Sequence, residues 1–194
     1  MRRFTPIVAA AAVAAIQVAC SGGTGSEPLA PPSSSSAEHE HAHPAVEVQR
    51  IEIHDECDPH TFNHALGEGT CKRQGSVTFD HFIQTLTFHQ FVPTWHFTPG
   101  NLDIHLGQSF SATNLGGETH TFTEVDEFGG GVVPLLNHLS GNEHVAPECA
   151  ALQPTDFLAM GASSPPDKPD EAGVEKYQCC IHPWMRMTVS IHGA

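Results

Sequence analysis

The chain has 194 residues, which is enough for one ordinary domain with flanking tails. Its 15 prolines and 17 glycines leave little room for long helices. A formal net charge of −14 argues against nucleic acid and against an anionic membrane surface as partners, and it favours a basic protein partner.

Residues 1–19 have the features of a secretion signal. Arg2 and Arg3 form a charged start, and an apolar run of mainly alanine and valine follows from Pro6 to Val18. That run is too short to span a bilayer core of ~30 Å as a stable helix. We therefore expect residues 1–19 to be a signal peptide, which places the rest of the chain outside the cytoplasm, in the periplasm or at the cell surface.

Cys20 directly follows this segment and precedes Ser-Gly-Gly, a pattern that resembles a bacterial lipoprotein signal with Cys20 as the lipidated residue. Gln17 departs from that pattern, because the position three before the cysteine is usually aliphatic. Lipidation at Cys20, simple cleavage and a retained anchor therefore remain as alternatives. With lipidation, contact with a membrane would run only through the lipid anchor.

Residues 20–44 are expected to form a disordered tether, because glycine, serine and proline are frequent and almost nothing there could be buried. The tether ends in a tract where histidine alternates with other residues, from His39 through His41 to His43. The tract is either a low-affinity site that catches metal ions or a polar linker end that is rich in histidine. The pattern alone does not separate these two interpretations.

Residues 45–194 carry the patterns of a folded domain. Alternation of apolar and polar residues predicts a first strand from Val46 to about Ile53, whereas residues 58–70 show no strand pattern. Apolar residues at helical spacing predict one short helix from Asp80 onward. Further strands are predicted at residues 95–97, 102–106, 109–113, 120–125, 157–160, 174–179 and 187–192, with a loop-rich stretch at 129–154. Short strands separated by turns favour an all-β sandwich with one short helix.

The segment 177–185 carries the strongest chemical signal. Cys179, His182 and Met185 follow one another at intervals of three residues, on the predicted loop between the last two strands. A thiolate, an imidazole and a weak thioether suit a copper ion that cycles between Cu(I) and Cu(II), because soft sulfur favours Cu(I) and nitrogen accepts Cu(II). This set lacks a second histidine. His120, which follows the Gly116-Gly117 turn and opens an apolar strand, supplies it.

This motif resembles the type 1 blue copper site of cupredoxins, the bacterial plastocyanin/azurin family, with a short, amicyanin-like ligand loop. The stretches Cys-x-Ile-His-Pro-Trp-Met and Gly-Gly-Glu-Thr-His-Thr-Phe-Thr-Glu-Val carry the resemblance, which covers roughly residues 95–192. It implies a cupredoxin-like Greek-key β-sandwich and one copper ion. His120, Cys179 and His182 would be the equatorial ligands and Met185 the axial ligand. Residues 46–93 would be an N-terminal extension or a variant first sheet.

Three positions depart from the family's pattern or leave a choice. Many cupredoxins have asparagine directly after the first histidine, and this chain has Thr121. Cys180 stands beside Cys179, but the spacing to His182 favours Cys179, and neighbouring strand residues point to opposite faces. Met187 is a rival to Met185 as axial ligand, disfavoured because it already begins the last strand.

The remaining cysteines are expected to form two disulfides. With Cys20 lipidated and Cys179 on the metal, four of the six cysteines are left. Cys57 and Cys71 flank one loop and are expected to pair. A bond between Cys149 and Cys180 would tie the long loop to the back of the ligand strand and would stop Cys180 from competing for copper.

The remaining polar residues receive plainer interpretations. A structural zinc site is the main metal rival, but such sites usually use more cysteine or histidine and no methionine. The histidines scattered elsewhere are interpreted as surface or core residues, and Glu118 and Glu124 as solvated charges near His120. The sequence has no paired carboxylates, nucleophile–base set or phosphate-binding loop, so no enzyme activity is expected.

The resemblance implies a monomeric one-electron carrier outside the cytoplasm that meets redox protein partners. In such proteins the residue equivalent to His182 lies at an exposed edge within an apolar patch, to which Pro183 and Trp184 would contribute. The alternative function is a periplasmic copper-binding protein for copper trafficking or protection. In that case the His39–His43 tract would collect ions and the core site would hold them.

Overall fold

The computed structural model of the protein describes residues 48–193. The predicted signal peptide, Cys20, the tether with its histidine tract and the start of the predicted first strand lie outside the described residues. Within the described part of the chain, no helix is both long enough and apolar enough to cross a membrane.

Short strands dominate residues 48–193, which confirms the predicted all-β class. The strands are β1 (Val48–His54), β2 (His96–Thr98), β3 (Asn101–His105), β4 (Ser109–Asn114), β5 (His120–Thr121), β6 (Thr123–Val125), β7 (Phe157–Leu158), β8 (Gly173–Gln178) and β9 (Arg186–His192). The helices are α1 (Pro59–Leu66), α2 (Phe79–His89), α3 (Pro134–Leu139) and α4 (Pro147–Ala150), with a 3₁₀ turn at Pro154–Asp156.

Two sheets form the body of a sandwich. The first has the strand order β2-β1-β4 and the second β3-β9-β8-β6, while β5 and β7 form a separate pair. β1 runs parallel to β4, and β3 runs parallel to β9, so strands that are distant in sequence lie side by side. Alternation of inward and outward side chains buries Ile51 and Ile53 of β1 in the first sheet. In the same way it buries Val189 and Ile191 of β9 in the second sheet. These side chains belong to one continuous core.

The described residues contain more helix than the one short helix predicted, which is α2. Residues 59–66 form α1 because Asp58 caps it, accepting hydrogen bonds from the backbone N–H groups of His60 and Thr61. Proline also begins α1, α3 and α4, where its fixed φ suits the first helical turn. Helices of four to eight residues are too short to show a helical period in the sequence, so they were missed.

The first part of the domain belongs to the same core as the rest. β1 is the middle strand of its sheet. The rings of α1 and α2 meet where Phe62 lies 5.5 Å from Phe82, and Phe82 lies 4.8 Å from Trp95. Phe82 also lies 5.9 Å from Trp184, on the loop between β8 and β9. Residues 48–93 are therefore a variant first sheet with two helices, packed against the predicted ligand loop.

Candidate metal centre

The loop between β8 and β9 holds three of the predicted site residues. It covers residues 179–185, and backbone hydrogen bonds close it: Cys179 N–H donates to the Met185 carbonyl at 3.0 Å, and Met185 N–H donates to the His182 carbonyl at 2.9 Å. Cys179, His182 and Met185 are all buried. The loop is therefore a tight turn, and the side chains of Cys179, His182 and Met185 point into the protein.

His120 reaches the loop from β5, directly after the turn at residues 115–119. Asn114 fixes this turn: its amide donates to the carbonyls of Glu118 and Leu158 at 2.8 Å each, and its oxygen accepts from Gly116 N–H at 2.9 Å. At Gly117 a side-chain carbon would lie 2.7 Å from Cys57 Sγ, so the turn packs against the β1 end of the domain. His120 itself is completely buried.

His120, Cys179 and His182 converge on one point. The Cys179 sulfur lies 3.7 Å from Nδ1 of each histidine, and the three ligand atoms all lie within 4.8 Å of one another. Two atoms bound to one ion at about 2.0–2.3 Å with an angle of about 120° would be roughly 3.7 Å apart. The three residues therefore fit a trigonal metal site. Within residues 48–193 this is the one group of three or more such side chains that could hold an ion.

The charge state of Cys179 suits a metal ligand. Burial alone would raise the pKa of its thiol, but hydrogen bonds and charge from His120 and His182 outweigh burial and hold the pKa well below its usual value. The thiolate also accepts a hydrogen bond from Thr121 N–H at 3.4 Å. The thiolate form, which binds metals, is thus the stable one in this pocket.

Asp55, a residue that the sequence analysis missed, lies behind His120. Its Oδ2 accepts from His120 Nε2 at 2.8 Å, and both side chains are fully buried. The carboxylate also accepts from the backbone N–H groups of Glu118 at 3.0 Å and Cys57 at 3.1 Å. With the proton on Nε2, Nδ1 is left as the ligand atom. The one signal in the sequence that could have identified Asp55 was its position as a carboxylate directly after the buried strand β1.

Glu118 corrects a prediction, because it is not a solvated charge. Glu118 is only 6% exposed, and Oε2 accepts from Trp95 Nε1 at 2.8 Å. The same oxygen lies 3.5 Å from Nε2 of His182. Burial raises the pKa of Glu118. The Gly-Gly-Glu turn resembles a surface turn in sequence, because Trp95 and His182, which enclose it, are distant in sequence. Glu124, by contrast, is exposed as predicted.

Thr121 connects the two ligand strands at the position where many cupredoxins have asparagine. Its backbone N–H donates to the Cys179 sulfur, and its hydroxyl accepts from Cys180 N–H at 2.8 Å. Thr121, which directly follows His120, is therefore hydrogen-bonded to Cys180, which directly follows Cys179.

Both candidate axial methionines are buried, at 1% exposure for Met185 and 2% for Met187. In the β8–β9 ladder Tyr177 pairs with Met187 and Gln178 with Arg186. The next pair in that register joins Cys179 to Met185, which the backbone hydrogen bond between them continues. Met185 is thus directly opposite the thiolate, and Met187 is one pair further along the strand.

The structure contains two disulfides, Cys57–Cys71 and Cys149–Cys180, with Cα atoms 6.1 Å and 5.3 Å apart. Among residues 48–193 the free cysteine is Cys179. Cys180 packs with Cys149 in a small second cluster, on the other side of the strand from Cys179. Among residues 48–193 the thiolate therefore has no neighbouring thiol to compete with it for a metal.

His182 does not lie at an exposed edge, contrary to the expectation from the resemblance. It is 2% exposed, and Pro183 is also buried. The rings of Trp184 and Phe82 lie 5.4 Å and 6.4 Å from its imidazole. The reason is α2, which covers this end of the sandwich and whose packing could not be derived from the sequence.

No protein-family model matches the chain, and no curated protein matches it. Among solved structures it is similar to a purple cupredoxin from Nitrosopumilus maritimus, with 18% identity, 74% of this chain and 99% of that chain covered, and a TM-score of 0.41. It is also similar to a plastocyanin from Dryopteris crassirhizoma (14% identity, 74% and 99% covered, TM-score 0.37). An amicyanin variant in its Cu(I) form has 15% identity, 50% and 73% coverage and a TM-score of 0.34. The described residues form a β-sandwich, and the candidate centre rests on the geometry of His120, Cys179 and His182.

Proposed function

We propose that His120, Cys179 and His182 hold one mononuclear copper ion, with Met185 as a weak axial ligand, in a type 1 site. The observation that carries this proposal is the position of the Cys179 sulfur, 3.7 Å from Nδ1 of both histidines. Two imidazoles and a thiolate in a trigonal arrangement are the donor set of blue copper centres. A structural zinc site fits less well, because it would use four strong ligands and here the fourth candidate is a thioether.

Met185 is the axial ligand that strand pairing favours. Residues directly opposite in an antiparallel pair have their Cβ atoms about 4.5–5.5 Å apart on the same face, whereas diagonal neighbours are about 7–8 Å apart. The register puts Met185 opposite Cys179 and Met187 opposite Tyr177. Met185 is therefore within reach of an ion on the thiolate, and Met187 fills the core beside it.

The function that this site supports best is one-electron transfer. Bound copper would supply a one-electron couple between Cu(II) and Cu(I). The chain's own residues hold the ligands in place: Asp55 fixes the tautomer of His120, Thr121 N–H donates to the thiolate, and Glu118 faces His182. Burial excludes water from the ligands. Ligands that are held rigidly and shielded from water need to rearrange little when the copper ion gains or loses an electron. They also leave no open coordination position for a substrate.

The location and partners follow from separate features. Two disulfides support an oxidising compartment outside the cytoplasm, as a periplasmic or cell-surface protein has. The net charge of −14 supports a basic redox protein as partner and argues against nucleic acid. A monomer attached to the membrane through lipidated Cys20 remains a prediction.

Copper trafficking or protection is the alternative function, and burial of the ligands argues against it. An ion that must be loaded and released needs an accessible ligand, and His120, Cys179 and His182 are at most 2% exposed. Slow copper exchange together with fast electron exchange would fit the carrier. The reverse result would favour trafficking.

The test is a copper titration of the chain, followed by visible spectroscopy and voltammetry. We expect one copper per chain, an intense thiolate-to-copper band in the visible range and reversible one-electron cycling. Cys179→Ser should remove the band and His120→Gln should weaken copper binding, whereas His105→Gln, at an exposed histidine outside the site, should change neither. Absence of the band in copper-loaded wild type would refute the type 1 assignment.

A further inference from the structure

A cavity of about 420 Å³ opens beside His182, on the side covered by the added helices. Most of its lining is apolar and comes from α1, α2 and α3 and from residues next to them, among them Phe62, Phe79, Phe82, Ile83, Val133 and Leu136. Its volume falls within the roughly 300–1,000 Å³ of typical small-molecule sites. This cavity exists because α1 and α2 stand over the end of the sandwich, and nothing in the proposed electron-transfer role uses it.

Four polar side chains line the otherwise apolar cavity: Thr70, Glu118, Thr119 and His182. Thr119 is exposed, and the Thr70 hydroxyl already donates to the Gly67 carbonyl at 2.8 Å, so Glu118 and His182 are the two buried ones. Oε2 of Glu118 is already engaged, because it accepts from Trp95 Nε1 and faces His182 Nε2. Oε1 receives no hydrogen bond from any residue between 48 and 193. Oε1 is not one of the fully buried atoms without a partner among the described residues, so it is open to the cavity that Glu118 lines. It is the acceptor in this wall that a ligand donor would satisfy.

We propose that this cavity binds a small neutral aromatic alcohol, a phenol, with its ring among the phenylalanines and its hydroxyl donating to Oε1 of Glu118. A phenol carries one donor, which matches the one carboxylate oxygen that is open to the cavity. An ammonium ion carries three donors, more than this one carboxylate oxygen accepts among apolar side chains. A carboxylate ligand would be repelled by Glu118. Edge-to-face contacts with Phe62 and Phe79, themselves 5.3 Å apart and nearly perpendicular, favour an aromatic ring over an aliphatic chain.

Binding at this cavity does not depend on the proposed copper site. The cavity is present with His120, Cys179 and His182 in their described positions, and the phenol would bind Glu118 rather than the three atoms proposed as copper ligands. The proposal can therefore fail while the copper assignment stands, and the reverse is also true.

The experiment uses 4-ethylphenol as the probe and its methyl ether, 4-ethylanisole, as the matched ligand without a donor. Calorimetry and NMR titration of the full chain, metal-free and copper-loaded, should give saturable 1:1 binding of the phenol. We expect the ether to bind at least about tenfold more weakly, because a hydrogen bond to a charged acceptor is lost. No saturable binding of the phenol, or equal affinity for both ligands, would overturn the proposal.

Two variants locate the site. Leu135→Trp changes an exposed residue at the cavity mouth, so it should block binding and leave folding intact. Val174→Trp, at a similarly exposed apolar residue on β8 outside the cavity, is its control and should bind the phenol as wild type does. Glu118→Gln should remove the preference for phenol over ether. Phenol binding that survives Leu135→Trp unchanged would place the molecule elsewhere and would contradict the proposal.

Discussion

Asp55 connects β1 to the proposed metal centre through a single side chain. It accepts hydrogen bonds from the imidazole of His120 and from two backbone N–H groups, and it is fully buried. A carboxylate behind a metal-binding histidine fixes both the ring orientation and the tautomer. We therefore regard Asp55 as a positioning residue for the centre.

Asp55→Asn should lower the copper affinity by about 10- to 100-fold, because the amide can still fill the space but no longer holds the imidazole by charge. The matched control is Asp103→Asn. Asp103 makes a similar 3.1 Å contact with His192, but this pair is exposed and distant from the ligands. Competition titrations with a copper chelator measure both variants. An equal effect of the two substitutions would refute the positioning role.

In the metal-free protein, the pair of Asp55 and His120 should make the free energy of unfolding depend on pH. Burial alone would raise the pKa of Asp55, but the bond and charge of His120 lower it below its usual 3.8. Burial alone would lower the pKa of His120, but Asp55 and Cys179 raise it from 6.5 to about 10. The first effect stabilises the fold above pH 3.8 and is lost as pH falls through the lowered value. The second stabilises it below pH 6.5 and is lost as pH rises through about 10.

We therefore expect the free energy of unfolding lost in Asp55→Asn to be largest between roughly pH 5 and pH 6.5 and to shrink on both sides. Urea titrations of metal-free wild type and variant at about pH 3, 6 and 10 measure this difference. Asp103→Asn should show no such maximum. A difference that stays constant across this range would mean that neither group titrates as the geometry requires.

At the scale of elements, the β8–β9 hairpin selects among candidate ligands. The strand alternation separates Cys179 from Cys180, and the pairing register separates Met185 from Met187. Thr121 then joins this hairpin to β5, so that His120 is held at a fixed distance from the loop. The ligand geometry is thus a property of three paired strands rather than of the loop alone.

Met185→Leu should shift the visible spectrum of the copper-loaded protein and raise its reduction potential, because a weak sulfur ligand is replaced by an apolar group of similar size. Met187→Leu makes the same exchange one register pair away and should leave both properties close to wild type. Electron paramagnetic resonance and voltammetry on the two proteins provide the comparison. If Met187→Leu produced the larger change, the axial assignment would be wrong.

At the scale of the whole molecule, the net charge of −14 acts at long range on anything that approaches. The rate of electron exchange with a cationic metal complex should therefore fall as ionic strength rises, because salt screens attraction beyond about 10 Å at 0.1 M. A neutral complex of similar size should show no such dependence. Stopped-flow kinetics over a salt series measures both. Equal salt dependence for the two complexes would mean that the net charge does not steer encounter.

The sequence predicted the ligand side of this molecule better than its surroundings. Cys179 and His182 stand three residues apart on a loop with a strand on each side, and the strand alternation that carries this information is local. Asp55 and Glu118 could not be assigned in this way, because their burial depends on contacts with residues 65 and 64 positions away. The burial of His182 depends on how α2 packs against the loop between β8 and β9, and no local sequence pattern predicts that packing.

The support that β1 provides has a consequence for the order in which the molecule assembles. Every proposed ligand lies between residues 120 and 185, yet the carboxylate behind His120 comes from residue 55. β9 completes the other sheet by pairing with β3, more than eighty residues earlier in the chain. A finished centre therefore requires nearly the whole domain to have folded first. Folding of such a domain is slow, because residues distant in sequence must pair. Newly made chains would therefore pass through a period in which the proposed ligands are present but unsupported, and the metal would be retained only afterwards.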